Sequence, residues 1–219
     1  MYISKNKLTI EEAKKLLDKP VSRSANLACG SEFRLFNLLI LRNPNLKHIA
    51  IDISNGVEIS SKGYTILYPN NFEFVKLDLV TKEFPESWNN IFDRVDIHMF
   101  TNKNIEGEGH SGNNLKKIIP KTTRIIKKGG IFVISFDIYA FDDYELANPD
   151  HIQTNYKRIE TILNLNFGKT IIFNGKAENE KKEILLKESD FNLKNEFLEL
   201  TRKSEQECMS FAAICVKTK

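Results

Sequence analysis

Five short apolar runs alternate with helix-like stretches between Ala25 and Phe136. They are Ala25 to Ala28, His48 to Ile53, Phe72 to Leu77, Phe92 to Phe100 and Ile131 to Phe136. Each has the length of a strand, and the last, a near-continuous apolar run, is expected to be buried on both faces. Phe33, Phe36, Leu39 and Ile40 share one helical face before Asn43-Pro44. Ser54 to Asn71 reads as a short helix or irregular segment around Val57 and Ile59. Leu115 to Lys127 reads as a further helix, which Pro120 should kink unless it sits near the start. Lys128-Gly129-Gly130 reads as its stop. Strands that alternate with helices imply an α/β fold, doubly wound, with a mostly parallel sheet and helices on both faces.

The two ends of the chain read differently. Thr9-Ile-Glu-Glu12 is a capping box opening an amphipathic helix, with Ile10, Ala13, Leu16 and Leu17 on one face and Pro20 at its end. Asp150 to Leu165 and Glu178 to Glu188 look helical, and Lys169 to Phe173 looks strand-like. Leu193 to Leu200 and Phe211 to Lys217 read as two strands with no helix between them, so they should pair antiparallel. The last strand is expected to be the only reversed one, lying between the fifth strand and Leu193–Leu200.

The chain has 219 residues, enough for one domain with a sizeable core. A net charge of +3 is too small to indicate nucleic acid or a membrane surface. No run approaches the ~18 apolar residues of a membrane span, and the polar start Met1 to Lys7 lacks a signal-peptide core. Cys29, Cys208 and Cys215 are scattered and odd in number, which suits a reducing, cytoplasmic setting and gives no metal pattern. The sequence does not fix an oligomeric state.

Chemistry gathers at the strand ends. Gly30, after the first strand, lets a ligand approach the backbone, and the helix that follows offers free N–H groups to a carboxylate or phosphate. Asp52 closes the second strand, where a carboxylate can accept from both hydroxyls of a ribose. Asp78 closes the third and could accept from an adenine amino group. Taken singly, a glycine after a strand is most often a turn, and an acid there is most often a solvated cap.

The order of these features is more specific than any one of them. Asn26-Leu-Ala-Cys-Gly-Ser-Glu32 resembles the glycine-rich first motif of class I S-adenosylmethionine-dependent methyltransferases. Ile49-Ala-Ile-Asp-Ile-Ser54 resembles their second-strand acidic motif, and Phe74-Val-Lys-Leu-Asp-Leu79 their adenine-side motif. Pro85 followed by Phe92-Asp-Arg-Val95 resembles the entry to the fourth strand. Arg124-Ile-Ile-Lys-Lys-Gly-Gly-Ile-Phe-Val-Ile134 resembles the helix, double-glycine turn and fifth strand. An antiparallel ending is also how that family closes its seven-stranded sheet.

The resemblance implies roles. Asn26, Ala28 and Gly30 would lie against the methionine part of S-adenosylmethionine, Asp52 and Ile53 against its ribose, and Asp78 and Leu79 against its adenine. Ile97 and His98 would border the methyl group, with His98 as a candidate general base. The acceptor would be a small molecule or a protein side chain. This sequence departs from the family in its first motif, which usually begins with an acid and carries three glycines. Asn26 stands for the acid, and Ala28 and Glu32 stand for two of the glycines. Glu32 would repel the cofactor's own carboxylate unless it points to solvent. A degenerate module that binds without turnover is therefore the alternative. A nicotinamide-dependent oxidoreductase is a further one, since Gly107-Glu-Gly-His-Ser-Gly112 matches G-x-G-x-x-G and Asp137 follows the next strand. That loop is long and polar for a tight turn, and a flexible loop with His110 at the mouth of the site is the simpler reading. Residues 1–219 read as a single domain with its N-terminal helix in 1–20. Residues 139–176 read as an inserted cap over the acceptor, with Tyr139, Phe141 and Tyr144 as a candidate aromatic wall.

Overall fold

The structure, a computed structural model, describes residues 7–30, 33–98, 113–138, 159–174 and 209–218. Its strands are β1 (Arg23–Leu27), β2 (Lys47–Asp52), β3 (Phe72–Lys76), β4 (Phe92–His98), β5 (Ile126–Ile138), β6 (Lys169–Asn174) and β7 (Met209–Val216). They form one seven-stranded sheet in the order β3-β2-β1-β4-β5-β7-β6. The pairs among β1 to β5 are all parallel. β7 runs antiparallel to both its neighbours, β5 and β6, and is the reversed strand of the sheet.

The helices are α1 (Ile10–Leu17), α2 (Arg34–Arg42), α3 (Asn55–Leu67), α4 (Asn113–Ile125) and α5 (159–166). The capping box opens α1: Glu12 N–H donates to Thr9 Oγ1, and Thr9 N–H donates to Glu12 Oε2. α1 buries Ala13 and Leu17 against Ile131, Val133 and Ile214. α2 buries Leu35, Phe36 and Leu39 against Ala50 and Phe72. Residues of a strand alternate between faces, so α1 and α2 cover one side of the sheet. α4 and α5 cover the other, where Leu115, Ile118, Ile162 and Leu163 meet Leu27, Ile97, Phe132 and Ile134. The Phe167 ring stacks on Phe132 at 5.4 Å and 3°.

Between the two clusters on the α1/α2 side runs a buried polar layer of Ser24, Asn26, His48, Arg94 and Asp96. Strand register aligns them, with Ser24 opposite both His48 and Arg94, and Asn26 opposite Asp96. Ser24 Oγ and His48 Nδ1 lie 2.7 Å apart. Arg94 holds Asp96 through Nε at 3.0 and 2.9 Å and Nη2 at 2.7 Å.

Several sequence expectations are corrected here. The double glycine does not stop a helix, because α4 ends at Ile125 and both glycines lie inside β5. The register jumps from Phe92↔Ile126 to Arg94↔Ile131, so the extra residues bulge out around Gly129, at φ 79°. Pro120 sits inside α4 rather than near its start. Ile59 does not anchor α3: it is exposed, while Val57 and Ser61 are buried. The neighbour of β7 away from β5 is Lys169–Asn174, not Leu193–Leu200. Residues 159–174 are therefore helix and strand of the main sheet rather than part of a cap, because Ile159, Ile162 and Leu163 pack onto its core. Leu193–Leu200, Glu178–Glu188 and residues 139–158, with Tyr139, Phe141 and Tyr144, lie outside the described residues.

Candidate functional site

The order of strands reverses between β1 and β4, since β1 leads outward to β2 and β3 while β4 leads to β5. In an open α/β sheet, ligands bind at the carboxyl ends of the strands beside such a switch point. The turn that leaves β1 there is unusual. Ala28 at φ 54° and Gly30 at φ 63° are both left-handed, as is Phe33 at φ 47°, which caps α2. Alanine and phenylalanine hold that conformation only where their surroundings impose it. Phe33 makes no side-chain cap, so the first N–H groups of α2 find no acceptor in it.

Asp52 organises the turn. Gly30 N–H donates to its Oδ2 at 3.1 Å, and Ser54 N–H donates to its Oδ1 at 3.0 Å. Cys29 N–H donates to Ile51 O at 3.1 Å, and Leu77 N–H to Asp52 O at 3.0 Å. The ends of β1, β2 and β3 are thereby tied together. Among the described residues, a Cβ added at Gly30 would meet nothing within 4 Å, so none of them closes over the turn. Ile53, beside Asp52, is 61% exposed, an uncovered apolar surface at the same end of the sheet.

Asp78 lies two residues beyond the end of β3 rather than on it. Its Oδ1 accepts from Val80 N–H at 2.9 Å, and its Oδ2 from the Thr81 hydroxyl at 2.5 Å. The Thr81 hydrogen bond is the main reason its carboxyl sits below the usual range. Leu79 beside it is buried. Ile97 is fully buried, and His98 ends β4 opposite Ser135. Thus the structure gathers Asn26, Ala28, Gly30, Asp52 and Ile53 around the β1 and β2 ends, with Asp78 and Leu79 after β3 and Ile97 and His98 on β4. Glu32 and the Gly107–Gly112 loop with His110 lie outside the described residues, while Asp137 lies within β5 opposite Ser210.

Cys29 is no nucleophile at neutral pH, because burial and then the Asp52 charge push its thiol up to about 12. Among the described residues, no three His, Cys, Asp or Glu gather as a metal site, and no helix is long and apolar enough to cross a membrane. A cavity of about 460 Å³ lies at the opposite, amino ends of β1 to β4, lined by Arg23, Lys47, Asn70 and Trp88 among others. The Arg94–Asp96 pair and the orphaned Asn26 oxygen escaped the sequence reading. Their signal was present as charges at alternate positions of an otherwise apolar strand, Arg94 and Asp96 around Val95.

No family model and no curated protein matches this chain. Solved structures do match by shape. Phosphoethanolamine N-methyltransferase 2 of Haemonchus contortus, in complex with S-adenosyl-L-methionine, is similar at TM-score 0.60 and 15% identity, over 95% of this chain and 53% of that one. The chain thus spans about half the length of that enzyme. An O-methyltransferase from a trans-AT PKS multienzyme of Brevibacillus brevis, in complex with S-adenosyl-L-homocysteine, is similar at TM-score 0.57 and 9% identity, over 95% and 71% of the two chains. A putative sarcosine dimethylglycine methyltransferase from Galdieria sulphuraria is similar at TM-score 0.56 and 12% identity, over 94% and 82%. At such identities the likeness is one of fold, and the fold of this chain is that of the class I methyltransferases.

Proposed function

We propose that this chain transfers a methyl group from S-adenosylmethionine to a small-molecule or protein acceptor held above the carboxyl ends of β1 and β4. The observation that carries the reading is the left-handed turn Ala28–Gly30, fastened to Asp52 at the switch point and uncovered among the described residues. The residues fit the cofactor. Each Asp52 oxygen accepts one backbone N–H and keeps lone pairs for the ribose hydroxyls. Ile53 offers an exposed apolar surface to the nucleoside, and Asp78 with Leu79 borders the adenine. Asn26, Ala28 and Gly30 face the methionine part, and Ile97 and His98 border the methyl group.

When bound, S-adenosylmethionine supplies an already activated methyl, so alignment and exclusion of water supply most of the catalysis. The chain's task is then to hold the acceptor in line, and His98 accepts a proton only where the acceptor carries one to lose. The loss of two glycines has favoured a module without turnover as the second reading. Ala28 weakens that motive, because it keeps the left-handed backbone that a glycine would adopt there.

Isothermal titration with S-adenosylhomocysteine and with NADH tests the proposal. Binding of the first and not the second is expected. A folded chain that takes up NADH alone would turn the assignment toward the oxidoreductase, and one that binds neither toward the module without turnover.

A further inference from the structure

The cavity at the amino ends of the strands owes its shape to the crossover from β3 to β4. Parallel strands are usually joined through a helix that covers one face of the sheet. Residues 77–91 make this crossover with only a three-residue 3-10 helix, Glu86–Trp88. Leu79 and Phe84 from it enter the core on the α4/α5 side. The crossover thus lays no full helix over the amino ends of β1 and β2, and the cavity of about 460 Å³ lies beside it. That volume is within the range of small-molecule sites, roughly 300–1,000 Å³.

Two cations stand side by side on its wall. Arg23 and Lys47 are register partners on strands about 4.8 Å apart, so they share a face of the sheet. It is the face of Ile49, two residues on from Lys47, which packs against the α4/α5-side core. Lys47 Nζ donates to the Asn70 carbonyl, which leaves two of its three N–H groups. Arg23 is held through its backbone N–H, which donates to Asp93 Oδ2 at 2.8 Å. Its guanidinium has no partner among the described residues. Asp93 is itself paired with Lys127 at 2.9 Å. Glu73 is the acid among the lining residues, and it makes no ion pair with either cation. Like charges this close repel, and an anion between them turns that repulsion into attraction. The rest of the wall is apolar and aromatic, from Trp88, Phe92, Ile49 and Ile91. The indole meets Phe92 at 90° and Phe84 at 31°, so it is fixed in an aromatic cluster that borders the cavity. A ligand ring would extend that cluster, and aromatic pairs add to the effect of burial alone.

We propose that this cavity is a second ligand site, which takes a flat aromatic ring bearing an anionic group, a phosphate or a carboxylate. Trp88, Ile49 and Ile91 supply the apolar wall, and Arg23 and Lys47 supply the charge. The site is separate from the one at the carboxyl ends. β1 is five residues long, so at ~3.3 Å per residue the two stand about 16 Å apart along it. S-adenosylhomocysteine carries an ammonium beside its carboxylate, so the pair of cations does not favour it.

Calorimetric titration with 2-naphthyl phosphate, 2-naphthoate, 2-naphthol and hexyl phosphate tests this. The two naphthyl anions should bind, with uncharged naphthol and ring-less hexyl phosphate each weaker by about tenfold or more. The tighter of the two anions tells a phosphate site from a carboxylate site. Arg23→Gln and Lys47→Gln in one chain should weaken both anions by about tenfold to a hundredfold. Both side chains are exposed, so the Tm of that variant should hold within about 2 °C. The chain has one tryptophan, so one indole N–H resonance reports on the cavity, and saturation with either anion should move it. Four results would each overturn the proposal. They are no binding of either anion at millimolar concentration, naphthol or hexyl phosphate binding as tightly as the naphthyl anions, undiminished affinity in the double variant, and an unmoved indole resonance. Titration with S-adenosylhomocysteine decides the methyltransferase reading and leaves this one standing or falling on its own.

Discussion

The backbone N–H of Gly30 donates to Oδ2 of Asp52 at 3.1 Å, and this bond fastens the turn after β1 to the end of β2. The other oxygen of the same carboxylate accepts from Ser54 N–H, just before α3. One side chain therefore fixes the turn after β1 to the start of α3. On the proposed function, binding and local structure are coupled at Asp52.

Asp52→Ala is expected to weaken S-adenosylhomocysteine by roughly 1.5–3 kcal/mol, the worth of hydrogen bonds to a charged group. That is on the order of tenfold to a hundredfold in affinity. Part of the loss comes from the freed turn. Asp52→Asn keeps an acceptor for one of the two N–H groups and should fall between the wild type and the alanine variant. Calorimetric titration of the three proteins checks this, and an unchanged affinity in folded Asp52→Ala would remove Asp52 from the site.

Gly30 and Gly130 should answer the same substitution for different reasons. A methyl group at Gly30 meets none of the described residues within 4 Å, so Gly30→Ala costs the left-handed backbone, about 1–2 kcal/mol. The same methyl would project into the proposed cofactor space and lower affinity further. At Gly130 a Cβ would stand 2.8 Å from Ile126 Cγ2 and 3.0 Å from the Asp93 carbonyl. Gly130→Ala therefore forces β4 and β5 apart and should cost about 1–3 kcal/mol through overpacking, with little specific effect on ligand. Denaturant unfolding and titration of both variants separate the two outcomes. Equal ligand affinity in Gly30→Ala and Gly130→Ala would contradict the open turn.

The parallel half of the sheet was legible because its strands are apolar runs bounded by turns. Ile131 to Ile134 are buried on both faces, as a continuous apolar run requires. The double glycine was misread because a helix stop and a bulge make the same local demand, a residue at positive φ. What distinguishes them is Gly130 lying against the Asp93 backbone, a contact between residues far apart in sequence. β6 is legible as an alternating strand, but its place in the sheet is not, since nothing local says which strand pairs with β7. The placement of Asp52 at the end of β2 and of Gly30 in the turn after β1 is legible in the sequence. The Asn26–Asp96 pairing could not, because it depends on the register of β1 against β4.

His48 gives the fold a sign-specific response to acid. Burial pushes its imidazole down to about 3 from an ordinary 6.5, while Asp96 pulls it up and Arg94 pushes it further down. The folded value lies below the unfolded one, so the unfolded chain binds the extra proton between them. The contribution is complete above pH ~6.5 and is lost as pH falls from there toward 3, at up to about 1.4 kcal/mol per unit. At pH 5 the loss is about 2 kcal/mol, or roughly 4–8 °C in Tm for a chain of this size. His48→Asn, which retains an acceptor for Ser24, should show a flatter Tm profile between pH 7 and 5. A wild-type imidazole resonance from His48 that titrates near pH 6.5 in the folded protein would disprove the burial argument.

Trp88 allows ligand binding and its location to be read in one experiment. It is the single tryptophan of the chain. Its ring lies against Phe84 and Phe92, with centroids at 5.9 and 5.8 Å. It stands just before β4, at the amino ends of the strands, where the 460 Å³ cavity opens. The proposed cofactor site is at the other end of the sheet. S-adenosylhomocysteine at a hundred times its dissociation constant should stabilise the fold by about 2.7 kcal/mol. At roughly 2–4 °C per kcal/mol, Tm should rise by about 5–11 °C. Trp88 emission, followed during heating, reports that rise because unfolding exposes the ring. Before heating, the emission maximum should not move when ligand saturates, since nothing near the indole changes. A ligand that shifts the emission maximum of the folded protein would be sitting in the cavity beside Arg23 and Lys47. In that case the carboxyl-end site, and with it the roles given to Gly30 and Asp52, would have to be abandoned for that ligand.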